Sequence, residues 1–237
     1  MSLTLPQHLG LADRELVSIV GAGGKSTILF ALGRDLNAAG ARVILTTTTR
    51  VGENQPEGHI CWSAEPAVVE AALGLGLPVF VAANRAPGKI VGPSPAEVDL
   101  LFERAGADYV VVEADGAAGM AIKAPADHEP VIPSASTTVV VVASIAALGH
   151  PISAVAHRPE RVAGLIGAHP GDRLTLDGVA AVLLHPAGGL KGVPEGARVV
   201  MAATGVTPAT EGLAGALIGI LASHPRVERA ITWRREC

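Results

Sequence analysis

The chain is short of aromatic rings, of charge and of cysteine. Only six of its 237 residues are aromatic: Phe30, Trp62, Phe80, Phe102, Tyr109 and Trp233. Proteins that hold single-stranded nucleic acid stack its bases on exposed rings, so this class is excluded. Charged residues make up 17% and the net charge is −4, which leaves no basic face for duplex binding either. The two cysteines, Cys61 and Cys237, form no CxxC pair, so a reducing compartment is expected, with no disulfide framework and no structural zinc. The longest apolar stretches, 139–148 and 213–222, are too short to span a bilayer. Residues 1–11 hold no lysine or arginine and no sustained apolar run, so no signal peptide is expected and the chain reads as cytoplasmic.

What the chain has in abundance is aliphatic surface. Hydrophobic residues reach 49%, ample to offset the entropy of ordering one domain of this length. Short apolar runs alternate with helical patterns, the signature of βαβ units around a buried parallel sheet. Strands are expected at 16–20, 43–47, 78–82, 89–91, 109–113, 137–143, 197–202 and 229–233. Helices are expected between them: one carrying Ile28, Leu29, Leu32 and Leu36 on a single stripe, then 66–73, 95–105, 161–167 and 176–185, and one with Leu213, Ala216, Leu217, Ile220 and Leu221 at helical spacing. The fold class this implies is α/β, P-loop NTPase-like, mostly parallel with helices on both faces. Residues 1–237 form one domain in this reading, with 149–196, the least regular stretch, as a lid or small subdomain.

The sharpest local feature lies between the first strand and the first helix: Gly21, Ala22, Gly23, Gly24, Lys25, Ser26 and Thr27. Glycines let successive backbone N–H groups converge on phosphate oxygens, with the positive helix terminus behind them. Lys25 is then placed to reach the β- and γ-phosphates and Ser26 to coordinate Mg²⁺. The full G-x-x-x-x-G-K-[ST] pattern wants glycine at position 19, where this chain has Ile19, so the loop is the shortened G-x-x-G-K-[ST] form. The competing reading is an ordinary glycine turn with a solvated lysine. A chance match of the short pattern in this composition has odds of roughly one in two hundred.

A phosphate loop needs an acidic partner for its metal. The strand at 109–113 runs into Glu113 and Asp115, spaced to share a face at the carboxyl edge where α/β sheets bind ligands. Asp115 is assigned the Mg²⁺ shell and Glu113 the orientation of a water, roles that could be exchanged. Thr46-Thr47-Thr48-Thr49-Arg50 ends the second strand at the same edge. Thr47 is a candidate for the metal and Arg50 for phosphate; a plain β-branched strand terminus is the alternative.

These segments, GAGGKST (21–27), TTTTR (46–50), VVEADGAAG (111–119), KAPADHEPVIP (123–133) and HRPE (157–160), resemble in order and interval the YqeC family of selenium-dependent hydroxylase accessory proteins. The resemblance is firmest over 16–165. It implies a P-loop nucleotide-binding fold and an association with molybdenum hydroxylases or their cofactor-maturation proteins. Relatives often carry an N-x-x-D-like segment after the strand here spelled 198–202, where an Asn/Asp pair would read guanine. This chain continues Ala203-Thr204-Gly205-Val206, so ATP is favoured over GTP.

Further along, Lys123 is a candidate second cation for the γ-phosphate, and His128 and Glu129 candidates for positioning a substrate or moving protons; a rigid proline-braced loop with paired charges is the alternative. His157 and Arg158 precede Pro159, either as a cis arginine for transition-state charge or as a plain helix start. The remaining histidines show no metal-ligand spacing. No aromatic ring falls in a motif, so base stacking is expected to contribute little. The function expected is an Mg²⁺-dependent nucleoside triphosphatase or phosphoryl-transfer accessory factor. Alternatives are a nucleotide-gated chaperone with little turnover and an ATP-dependent ligase or small-molecule kinase, the latter because the shortened loop is similar to that of Mur-type ligases.

Overall fold

The computed structural model describes residues 3–234, and its strands follow the expected alternation. In chain order they are β1 (Glu15–Gly21), β2 (Val43–Thr47), β3 (Arg50–Gly52), β4 (His59–Cys61), β5 (Val79–Val81), β6 (Asn84–Ala86), β7 (Lys89–Val91), β8 (Tyr109–Glu113), β9 (Ile122–Lys123), β10 (Thr138–Ser144), β11 (Ala156–His157), β12 (Arg198–Thr204) and β13 (Arg229–Thr232). The helices are α1 (Leu5–Leu9), α2 (Lys25–Ala38), α3 (Pro66–Leu73), α4 (Pro95–Arg104), α5 (Ile152–Val155), α6 (Pro159–Ile166), α7 (Leu176–Leu184) and α8 (Glu211–Ala222).

Eight strands pair in the order β13-β12-β10-β1-β8-β2-β5-β4, every neighbour parallel. Such a sheet is buried on both faces, which is why β8 and β10 are near-continuous valine. Alternation along the strands divides the core in two. Val17, Ile19, Leu45, Val111 and Val140 face α1 and α2. Leu16, Val20, Ile44, Val110, Val112 and Val141 face α3, α4, α6, α7 and α8. Each fully buried Val, Leu or Ile contributes about 1.5–3 kcal/mol, so the two layers account for the fold's cohesion. Helix starts are local: Pro95 opens α4, and Ser94 and Glu97 bond reciprocally, Glu97 N–H donating to Ser94 Oγ at 3.3 Å and Ser94 N–H to Glu97 Oε2 at 2.7 Å.

Residues 149–196 carry α5, β11, α6 and α7, and their buried Val162, Ala163, Val179 and Val182 join the same core as the central strands. Sequence patterning missed α1, β3, β4, β6, α5 and the β9–β11 ribbon. All are five residues or fewer, too short to establish a period. Cys61 is buried and unpaired, and Cys237 lies outside the described residues. Among the described residues no helix is long and apolar enough to cross a membrane.

Candidate functional site

The loop joining β1 to α2 lies at the carboxyl edge of the sheet, beside the last residues of β8 and β10. Gly21, Gly23 and Gly24 all have positive φ. A Cβ on Gly21 would stand 2.2 Å from the Val142 carbonyl oxygen, and one on Gly23 2.7 Å from the Ser144 nitrogen, so the backbone itself excludes a side chain at both. Ala22 N–H donates to Val142 O at 2.8 Å and Thr204 Oγ1 donates to Gly23 O, pinning the loop to β10 and β12. The first helical bond of α2 runs from Ile28 N–H to Gly24 O at 3.0 Å. The N–H groups of residues 23–27 take no acceptor among the described residues. Five successive amides are left free at the positive end of a 14-residue helix.

Lys25 Nζ donates to Gly21 O at 2.8 Å and lies 3.6 Å from Glu113 Oε1 and 3.2 Å from Asp115 Oδ1. The register of β1 against β8, Ile19 opposite Glu113, brings these groups together. Ser26 Oγ donates to Glu113 Oε2 at 2.7 Å. The two carboxylates differ in setting. Glu113 lines an open cavity of about 540 Å³ with residues 23–27, Arg50, Gln55 and Lys89. Asp115 points inward: its Oδ2 accepts from Gly21 N–H at 3.1 Å and pairs with Lys123 Nζ at 2.9 Å. Its buried Oδ1 has no donor aimed at it, the Lys25 ammonium being close by but not directed along a hydrogen bond.

Behind Asp115 runs a chain of ion pairs. Lys123, its side chain 1% exposed, bridges Asp115 to Glu129 Oε2 at 2.8 Å and also donates to Gly116 O at 2.6 Å. Arg158 grips Glu129 with two bonds of 2.8 and 3.1 Å. The β9–β11 ribbon sets His157 opposite Lys123 and so delivers Arg158 to Glu129. Burial pushes the Glu129 carboxyl upward, but the Arg158 and Lys123 hydrogen bonds outweigh it and hold the group at about 2. Burial, with Arg158 and Lys123 close by, lowers the His157 pKa.

The structure therefore brings Lys25, Ser26, Glu113 and Arg50 to one cavity and keeps others from it. Lys123 and Arg158 are locked into the ion-pair chain, and neither lines that cavity. Thr47 is fully buried, its hydroxyl donating to the Glu113 carbonyl at 2.8 Å, so it braces the end of β8. His128 is exposed to solvent. Sequence reasoning missed Lys89, Gln55, Thr204 and Trp233. Only Lys89 had a signal, as one of just four lysines. Trp233 lines a second cavity of about 700 Å³ with Thr204–Pro208, and this cavity meets the first across Gly23, Gly24, Thr27, Gly119 and Met120. Among the described residues no three His, Cys, Asp or Glu side chains gather as a metal-only cage.

A glycine turn that feeds a central parallel strand into a helix with free amides is what makes a P-loop protein, and the fold puts this chain in that α/β class. Within it the chain belongs to the YqeC family, whose model, described as YqeC protein, matches residues 17–160. The uncharacterized protein YqeC of Escherichia coli (strain K12) is 37% identical over 189 residues, covering 78% of this chain and 73% of that protein. Among solved structures, the signal recognition particle 54 kDa protein of Aeropyrum pernix K1 in complex with GDP superimposes with a TM-score of 0.43 at 17% identity. The match takes in 96% of this chain and 43% of that one.

Proposed function

We propose that this protein binds a nucleoside triphosphate with Mg²⁺ and transfers or hydrolyses its γ-phosphoryl group, with ATP favoured over GTP. The observation that carries the reading is the run of free amides at 23–27. Among the described residues no acceptor competes for them, and a row of converging donors with a lysine beside it suits phosphate oxygens. Lys25 would exchange its Gly21 carbonyl partner for the β- and γ-phosphates.

The donor set suits Mg²⁺. That ion takes one or two carboxylates and leaves its other positions to water and substrate phosphates, so a metal-only cage is not needed. Ser26 Oγ and Glu113 Oε2, already 2.7 Å apart at the cavity floor, are the residues that would hold it. Bound there, the ion would neutralise charge between the β- and γ-phosphates. This moves the Mg²⁺ role first expected of Asp115 to Glu113. Asp115, turned inward between two lysines, acts as the anchor that sets Lys25 beside the loop.

The two cavities give the nucleotide a direction. Its phosphates lie on residues 23–27 and its base and sugar extend toward Thr204–Pro208, where Trp233 offers the ring that no motif had supplied. Among the described residues no side-chain carboxylate lines that end, which supports ATP over GTP. The association with selenium-dependent molybdenum hydroxylases rests on the family resemblance. Calorimetric titration with ATP and GTP, each with and without Mg²⁺, tests the core of the proposal. Saturable binding that needs Mg²⁺ for full affinity and is tighter for ATP supports it; no heat with either nucleotide refutes it.

A further inference from the structure

We infer that the Arg50–Lys89 end of the 540 Å³ cavity is a second-substrate site, built for a small carboxylate or phosphate that accepts the γ-phosphoryl group. The inference rests on the nucleotide reading above and goes beyond it by naming the acceptor's chemistry. Strands β3, β7 and β6 form an antiparallel sheet of their own, attached where β2 ends. Register pairs Arg50 with Val91, Val51 with Ile90 and Gly52 with Lys89. Alternation then turns Val51 and Ile90 into the core, where they are 7% and 2% exposed, and sets Arg50 and Lys89 together on the opposite face. As diagonal neighbours on paired strands their Cα atoms are about 7–8 Å apart, a span that one small anion can bridge.

This sheet is fixed to the reaction edge. A Cβ on Gly92 would fall 1.5 Å from the Thr47 carbonyl oxygen, and Gly92 N–H donates to Thr49 O at 3.1 Å. The backbone that carries the two exposed cations is thus fixed relative to β2 and to Glu113, paired across from Thr47. Neither is neutralised. Lys25 and Lys123 pair with carboxylates and Lys191 donates to the carbonyls of Ala126 and Asp127, whereas Lys89 and Arg50 make no side-chain hydrogen bond or ion pair among the described residues. Glu113 is the one carboxylate among the residues lining this cavity, against Lys25, Arg50 and Lys89. With Lys25 given to the nucleotide, Arg50 and Lys89 remain as two unpaired cations on one face, which suits an anion.

The same inventory chooses the attacking atom. With Glu113 engaged at Ser26, the lining offers no free base to take a proton, so the nucleophile is an oxygen that carries none. An oxyanion forms its bond to the γ-phosphorus as the bond from the β–γ bridging oxygen breaks, and that electron pair leaves on the nucleoside diphosphate. No proton changes hands, and the product is an acyl phosphate or a phosphoanhydride.

The test uses the full chain saturated with Mg²⁺ and β,γ-imido-ATP, so that the γ-position is filled, titrated with inorganic phosphate and separately with succinate while amide resonances are followed. Binding of at least one anion, with shifts at residues 50–55 and 88–91, is the expected result, and the preferred probe identifies the kind of oxyanion. Arg50→Ala and Lys89→Ala should each weaken that anion about tenfold while changing imido-ATP affinity less than about threefold. Failure of both anions to bind the filled complex overturns the inference. So does a loss of about tenfold in imido-ATP affinity in either variant, because the cations then serve the γ-phosphate. Failure of imido-ATP itself to bind is seen before any anion is added, and it overturns the nucleotide reading instead.

Discussion

Two buried charge clusters sit at opposite ends of one sheet, and the contrast between them separates structure from function. At the amino edge, Glu15 accepts from Arg198 at 2.6 Å, from Thr138 at 2.8 Å, from Ala12 N–H at 3.1 Å and from Thr137. Both its oxygens are answered, and the cluster ties the starts of β1, β10 and β12 together. At the carboxyl edge Lys25, Asp115, Lys123, Glu129 and Arg158 form a longer chain that leaves Asp115 Oδ1 without a donor and five amides free beside it. Buried polar groups are almost always satisfied, and among the described residues Asp115 Oδ1 is the one buried side-chain polar atom without a partner.

Paired substitutions break the comparison most forcefully. Glu15→Ala and Lys123→Ala each strip one partner from a buried cluster, and each should cost about 3–5 kcal/mol in urea unfolding. Only Lys123→Ala should also weaken nucleotide, because it frees Asp115 to draw Lys25 inward. Equal effects of the two on nucleotide affinity would erase the distinction drawn here. Next in size is Gly23→Ala. With φ at +78° and a Cβ 2.6 Å from Ser144 Cβ, it should cost about 2–3 kcal/mol and weaken nucleotide binding together.

These variants also bear on what could be read from sequence. Strands at 43–47 and 109–113 and the helix at 66–73 were legible to the residue because apolar periodicity reports burial directly. The loop at 21–27 was legible because its geometry is local: glycines with positive φ turn β1 directly into α2. Lys123 was not. Sequence offers it as a cation for phosphate, yet the β9–β11 ribbon buries it between Asp115 and Glu129, a placement decided by a two-residue pairing with no period. Trp233 escaped for a similar reason, since its place in the second cavity depends on β13 ending next to the Thr204–Pro208 turn.

Acid titration sharpens the contrast with a smaller effect. Glu129 titrates at about 2 in the folded chain against an ordinary 4.5, so its contribution is complete above pH about 4.5 and is lost as pH falls from there toward 2. Glu129→Gln should therefore be less stable than wild type at neutral pH and lose less stability across that window. A wild-type curve that matches the variant's slope would contradict the ion-pair chain. The mildest change is Thr204→Val, which removes the hydroxyl donated to Gly23 O and should cost about 1 kcal/mol, with a small loss of nucleotide affinity and no change at the amino edge.

The proposed phosphate site is the run of amides at residues 23–27, which take no acceptor among the described residues. Amide resonances recorded as Mg²⁺ and ATP are added test it residue by residue. Large, saturable shifts at 23–27, none at Glu15, Thr138 or Arg198, and their abolition in Lys25→Ala are the expected result. Saturable ATP binding that leaves 23–27 unmoved, or persists undiminished in Lys25→Ala, would contradict it.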